Sequence, residues 1–192
     1  MPAAKIFCHK SRGYVKIEIG SQYGLAKIAF ELYGDRQIGI CRGKEKIMIR
    51  NIKAEDAPAL KQICKTALGH DTTSGYLKHR IQELSHDPCY YIAVYEDDIT
   101  HQILGFIQAE KYNLLYGDNG WNIIALAVSP EAQRQGIGKQ LLTSLEDQAA
   151  KCGYTFIRLN CNIVRTDAHA FYHHMEYTCD KTQKRFIKQI KR

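Results

Sequence analysis

Between residues 129 and 142 the chain reads SPEAQRQGIGKQLL. Gly136 and Gly138 stand one residue apart, where the apolar run WNIIALAV gives way to an amphipathic stripe, and Arg134 and Lys139 flank them. The first N–H groups of a helix have no partner within it and lie at the positive end of its dipole. Glycine at such a place lets an anion approach the backbone with no Cβ in the way. The chemistry this pattern offers is the binding of a phosphate group by main-chain N–H groups. Two common nucleotide turns do not fit. The dinucleotide fingerprint G-x-G-x-x-G finds Leu141 at its third glycine, and RLNCN where an acidic residue belongs about 20 positions on. The triphosphate loop G-x-x-x-x-G-K-[ST] finds Gln133 at its first glycine and Gln140 after Gly138-Lys139. A glycine pair that simply permits tight helix–strand packing is the structural alternative.

Other side chains with chemical potential are scattered. Tyr172 follows Phe171 in AHAFYHH, where it is either a proton donor or a core aromatic. Glu110, in ILGFIQAEKYN, the strand expected beside WNIIALAV, is the first candidate carboxylate, and Asp118, in the break YGDNG, the second. Tyr76, Tyr112, Tyr116 and Trp121 are candidates for the walls of a binding pocket. His169 and His173 are four apart on one helix face, but no H-E-x-x-H pattern or third ligand accompanies them, so no metal site is expected. The seven cysteines are odd in number and include no C-x-x-C pair, which points to reduced thiols, mostly small buried residues.

The elements that must position these residues can be read from periodicity. KIMIRNI reads as a strand. AEDAPALKQICKTAL, residues 54 to 68, places Ala57, Leu60, Ile63, Cys64 and Ala67 on one helix face, with Glu55 and Asp56 at its start where the dipole favours them. TTSGYLKHRIQEL continues as a second helix weakened by Gly75. CYYIAVYE and ILGFIQAEKYNLL read as an antiparallel pair around DDITHQ, and the continuous apolar run WNIIALAVS as a strand buried on both faces. The strongest helix runs from Gly136 to Cys152, with Ile137, Leu141, Leu142, Leu145, Ala149 and Cys152 in one stripe and Gly153 as its stop. YTFIRLNCN is a strand, RTDAHAFYHHM a short helix, and YTC and RFIKQI are expected to close the sheet as two further strands. Residues 1 to 46 are less regular: GYVKIEIG alternates as a strand with Val15, Ile17 and Ile19 on one face, GLAKIAFELYG suits a short helix or a strand, and GDRQIGICRGKEK carries turn chemistry around Gly34 and Gly43.

With these elements in place, the turn has a recognisable setting. Gln133-x-x-Gly136-x-Gly138 resembles the [QR]-x-x-G-x-[GA] pyrophosphate turn of the GNAT superfamily of N-acetyltransferases. The strand ending LAVSP, the long helix, the following strand and the A-x-x-F-Y motif at Ala168, Phe171 and Tyr172 occur in that family's order. The resemblance covers about residues 47 to 192. It implies an α/β mixed sheet of the acyl-CoA N-acyltransferase fold, with residues 1 to 46 as an N-terminal extension. That extension would be a hairpin covering a sheet edge or a homodimer contact, and Met48 a possible alternative start. The implied co-substrate is acetyl-coenzyme A, with its pyrophosphate on the N–H groups of Gln133, Arg134, Gln135, Gly136, Ile137, Gly138 and Lys139. Its pantetheine arm would pair with the main chain of Ala127 and Val128, and Asn160 and Asp167 would lie beside it. Tyr172 resembles the family's general acid toward the departing thiolate. Relatives often carry a glutamate on the LAVSP-type strand; none stands here, and Glu110, Asp118 or a water chain would deprotonate the amine. Glu176, where relatives have glycine, departs from the pattern.

The function implied is acetyl transfer to a primary amine by direct attack in a ternary complex, with a small-molecule acceptor favoured. A protein acetylase acting on an N-terminus or lysine, and a non-catalytic coenzyme A-binding module, are the alternatives. The net charge of +7 sits mostly in residues 1 to 47, which hold nine Lys/Arg against four Asp/Glu, so the main body gives little reason to expect a nucleic-acid partner. No stretch approaches the roughly 18 apolar residues of a membrane span, and the beginning lacks the apolar core of a secretory signal, so a cytoplasmic location and no membrane partner are expected.

Overall fold

A computed structural model of the chain describes residues 48–190 and three strands within residues 6–31. Met1–Ile47 and Met48–Arg192 form separate compact units. In the first, β1 (Ile6–Ser11), β2 (Tyr14–Ile19) and β3 (Ala26–Glu31) make an antiparallel sheet in chain order. Its register puts Cys8, Ile17 and Ile28 in one row and Ile6, Ile19 and Ala26 in another, so the alternation read around Ile17 is matched across strands. GLAKIAFELYG therefore supplies a strand rather than a helix, and β1 is a strand that its sequence did not announce. The turn expected around Gly34 and Gly43 lies outside the described residues.

The second unit is a five-stranded sheet in the order β4 (Met48–Asn51), β5 (Tyr90–Glu96), β6 (Ile103–Tyr112), β7 (Gly120–Val128), β8 (Phe156–Leu159). Neighbours are antiparallel except β7 and β8, which are parallel. Four helices cover it: α1 (Ala57–Ile63), α2 (Ser74–Leu84), α3 (Ile137–Lys151) and α4 (Thr166–His174). A 3₁₀ turn at Ala54–Asp56 leads into α1, and a π turn at Cys64–Leu68 carries it on to Gly69, whose φ of +73° ends it. Asp56 does more at this start than meet the dipole. Its buried carboxylate accepts Lys53 N at 2.8 Å and both terminal nitrogens of Arg50 at 2.8 Å, tying β4 to the helix.

Alternation along the strands divides the core into two layers. Ala93, Ile107, Ala109, Trp121 and Ile123 face α3, where Leu141, Leu142 and Leu145 are wholly buried. Val94, Phe106 and Ala127 face the other way, against Ala57, Leu60, Ile63 of α1 and Ile81 of α2.

Four expectations need correction. β7 is not buried on both faces: Ile124 is 48% exposed, because a bulge inserts it between the pairs Gln108–Ala125 and Ala109–Ile123. Cys152 does not continue the α3 stripe; the helix ends at Lys151 and Cys152 is exposed at its cap. None of the five described cysteines is buried, since each lies at an element's end, in a loop, or on a partly covered face. YTC and RFIKQI form no strands, and Phe186, Ile187 and Ile190 are exposed. A strand needs an edge that accepts its backbone, which local composition cannot report.

Candidate active site

The glycine turn sits at the junction of β7 and α3, and its geometry bears on both readings of the glycine pair. Arg134 and Gly136 are both left-handed, at φ +62° and +82°. Such a curl brings successive N–H groups onto one concave side. α3 then starts at Ile137 with no side chain capping it. The first intrahelical bond to Gly136, Gln140 N to Gly136 O at 3.1 Å, leaves the N–H groups of Ile137, Gly138 and Lys139 without helical acceptors. No neighbouring atom demands either glycine, although the φ of +82° at Gly136 is one that side chains rarely adopt. A Cβ on Gly136 would come no closer than 3.9 Å to a neighbour, and one on Gly138 would rest at an ordinary 3.5 Å from Phe171. The packing glycines are elsewhere: a Cβ on Gly105 would meet Ala127 O at 2.9 Å, and one on Gly120 would meet Phe156 O at 2.5 Å. At the turn, then, the absent side chains leave room on the outside, where a ligand would come. Gln133, Arg134, Gln135, Gly136 and Lys139 are exposed there.

Beside the turn the sheet opens. β8 pairs with β7 only from Gly120 to Ile123, and the bulge at Ile124 follows at once. A bulge bends its strand, and beyond it Ile124–Val128 have no partner on the β8 side among the described residues. The expectation for Ala127 and Val128 divides here. Ser129 N donates to Leu104 O at 2.8 Å on β6, and Ala127 O lies against Gly105. Main-chain groups of successive strand residues point to opposite sides. Ala127 is therefore committed to β6, while Leu126 and Val128 turn their N–H and C=O groups to the open edge. Val128 O is reached by Gln133 Nε2 at 3.5 Å, which links strand and turn. Leu126 was missed in the sequence, although the strand's period of two would have paired it with Val128.

The opening leads into a cavity of about 630 Å³ between the α1–α2 side of the sheet, β8 and α4. Much of its wall is aliphatic, with Leu60, Leu77, Ile81, Ile92 and Ile124 among the lining residues. The expected aromatic walls are not there. Tyr76 and Tyr116 are largely exposed, Trp121 is buried on the α3 side, and Tyr112 holds Arg158 over its ring at 4.7 Å. Asn160 does line the cavity and accepts a hydrogen bond from Arg158 at 3.2 Å. Asp167 lies in the exposed first turn of α4, off the lining. His169 Nε2 is 3.0 Å from Asn162 O, a contact that ties the preceding loop to the helix.

Tyr172 projects from α4 into this cavity. Its ring packs edge-on to Phe171 and at a tilt to Tyr177, with centroids 5.2 and 5.9 Å away. Burial pushes its phenol up to about 12, with Cys161 adding to the rise and Arg165 opposing it. Glu110 is elsewhere. It accepts Asn122 Nδ2 at 2.9 Å and does not line the cavity. It shares a sheet face with Phe106 and Gln108, which do, but lies one pleat further along, about 7 Å. Among the described residues, no Asp or Glu lines the cavity at all; Arg80, Arg165, Arg185 and His70 do.

Comparison with known proteins bears on the fold and the family. The uncharacterised N-acetyltransferase YhdJ of Bacillus subtilis (strain 168) is 29% identical over 119 residues, spanning 62% of this chain and 79% of that protein. The fold is similar to that of the aminoglycoside acetyltransferase meta-AAC0020 from an uncultured soil metagenomic sample. That match has a TM-score of 0.63 at 21% identity over 77% of this chain and 99% of the other. It is similar too to the aminoglycoside antibiotic 6'-N-acetyltransferase AAC(6')-Ih from Acinetobacter baumannii, with a TM-score of 0.64 at 16% identity over 76% and 99%. Residues 48–177, well over half the chain, match the model of the Acetyltransferase (GNAT) family, and the chain belongs to that family.

Proposed function

We propose that residues 47–192 form an acetyltransferase domain that moves an acetyl group from acetyl-coenzyme A to the primary amine of a small molecule, with residues 1–46 as an appended element. The observation that carries this is the uncapped start of α3, whose two glycines no internal contact requires, set beside the open edge of β7. The residues present suit the co-substrate. The N–H groups from Gln133 to Lys139 would hold its pyrophosphate, and Leu126 and Val128 would hold its amide arm as a strand holds a neighbour. Acetyl-coenzyme A supplies a thioester whose thiol leaves with a pKa near 8.5.

Tyr172 stays protonated at any working pH, because its phenol titrates at about 12. Handing that proton outright to a thiolate is uphill by roughly three powers of ten. The role that fits is an O–H donor aimed at the developing negative charge, with the net proton supplied by the attacking nitrogen. An alkyl ammonium has a pKa near 10.4 and must lose a proton before it attacks. The cavity's cationic lining disfavours the ammonium form and so favours the free amine. Water passing the proton along main-chain carbonyls then replaces a carboxylate base.

Calorimetric titration of the full chain with acetyl-coenzyme A tests the reading. Saturable binding is expected, and Gly136→Glu should weaken it at least a hundredfold while circular dichroism stays unchanged. A Cβ at this position meets no close neighbour, so the loss would come from φ +82° and from a carboxylate placed at an anion site. Absence of binding by the unaltered chain would sink the proposal.

A further inference from the structure

Three arginines, from three separate parts of the chain, line the cavity. Arg80 comes from α2, Arg165 from the residue preceding α4, and Arg185 from the C-terminal segment; His70 joins them from the loop after α1. No carboxylate faces them from the lining among the described residues. Arg80 is partly neutralised by Glu83, which lies off the cavity, at 2.5 Å. Arg165 donates to Ala67 O at 3.4 Å across the cleft and has no acidic partner among the described residues. Arg185 is likewise without an acidic partner there. None of the turn residues Gln133 to Lys139 lines the cavity, so these cations stand apart from the helix start that would take the pyrophosphate.

A cleft lined in this way repels a second positive charge and holds a negative one. Arg165 and Arg185 are exposed, so they act on a ligand through surface charge and paired N–H donors beside walls of Leu and Ile. Guanidinium groups bind carboxylate and phosphate through paired N–H donors. We infer that the acceptor is an amine carrying an anionic group, a carboxylate or a phosphate, and that polycationic amines are turned away. The inference rests on the acetyltransferase reading above and names the substrate class of that same site. It also separates this chain from its aminoglycoside-modifying fold neighbours, since an aminoglycoside brings several ammonium groups to a site that here offers them no carboxylate.

The test is thiol release by the full chain at saturating acetyl-coenzyme A, with amines matched in length and different in charge. Aminocaproate is compared with hexylamine and hexanediamine, phosphoethanolamine with ethanolamine, and an aminoglycoside completes the set. The specificity constant for an anionic amine should exceed that of the diamine and the aminoglycoside by about a hundredfold, the scale of a charge-assisted paired contact. Whether aminocaproate or phosphoethanolamine leads decides between carboxylate and phosphate. Arg165→Gln and Arg185→Gln should each cut that ratio about tenfold, with acetyl-coenzyme A affinity retained as evidence of folding. Equal constants, a preference for the diamine or the aminoglycoside, or binding of acetyl-coenzyme A without turnover of either anionic amine would overturn the inference while leaving the domain's co-substrate intact. Failure to bind acetyl-coenzyme A would instead remove the reading on which it stands.

Discussion

The sheet of the second unit packs α3 on one face and α1 with α2 on the other, and the two faces are finished differently. Under α3 every large side chain of the stripe is sealed, with Leu141, Leu142 and Leu145 at 0% exposure against Ile107 and Trp121. Under α1 and α2 the core holds Val94, Phe106 and Ala127, then gives way to the cavity beside Ile92, Gln108 and Ile124. One bulge accounts for much of the difference. It falls just past Ile123, the last β7 residue paired with β8, and frees the strand edge beyond it. The closed face fixes the start of α3, whose main-chain N–H groups the proposed function aims at a pyrophosphate. The open face keeps a cavity of about 630 Å³, which the proposed function gives to the acceptor. On the proposed reading, a site for two substrates is built on one sheet by completing its packing on one side and leaving it unfinished on the other.

That contrast can be broken by equal truncations. Leu142→Ala removes a fully enclosed side chain and should cost about 3 kcal/mol in urea unfolding. Leu77→Ala removes one that already borders the cavity, so it should cost about 1 kcal/mol. Equal losses would show the two faces to be packed alike. Next in size is Tyr172→Phe, which keeps the ring contacts to Phe171 and Tyr177 and deletes only the hydroxyl. Turnover should fall about a hundredfold, while acetyl-coenzyme A affinity changes less than twofold. In the unaltered enzyme the pH profile carries the same information. A phenol titrating at about 12 loses its proton only above that pH, so turnover should rise as the amine deprotonates and show no alkaline fall near 10, where an ordinary tyrosine titrates. A descending limb near 10, lost in Tyr172→Phe, would show that the hydroxyl is not buried as described.

How much of this could be read in the sequence follows the same divide. The closed face is written locally: the stripe Ile137, Leu141, Leu142, Leu145, Ala149 has a helical period, and Gly136 and Gly153 punctuate it. The open face is written in no single stretch. Arg80, Arg165 and Arg185 are far apart in the chain, and nothing near any one of them hints at the other two. The bulge at Ile124 hides inside an unbroken apolar run, where periodicity has nothing to vary. Aromatic residues were expected to wall the cleft because they suit such walls in general, but Trp121 fell on the α3 side by strand parity and Tyr116 in an exposed turn. RFIKQI failed as a strand for the related reason that pairing depends on a distant edge. Identity of the turn was local chemistry; the pocket is a property of the assembled fold.

Glu110 gives the smallest expected effect and the most direct check on the open face. It is the carboxylate that sequence position favoured as a base, since it lies on the strand next to WNIIALAV. In the fold it is held by Asn122 Nδ2 at 2.9 Å and stops one pleat short of the cavity. Glu110→Gln preserves the shape and leaves an oxygen to accept that bond, so stability should be nearly unchanged. If water and cationic lining deprotonate the amine, turnover should drop less than about threefold at every pH, because no proton passes through this side chain. A base would behave differently. Its loss would lower turnover by about a hundredfold or more and remove the acid limb of the pH profile. That outcome would move the acceptor amine toward β6 and Asn122 and away from the arginines, and the distinction between a closed cofactor face and an open, carboxylate-free acceptor face would have to be redrawn with Glu110 inside the site.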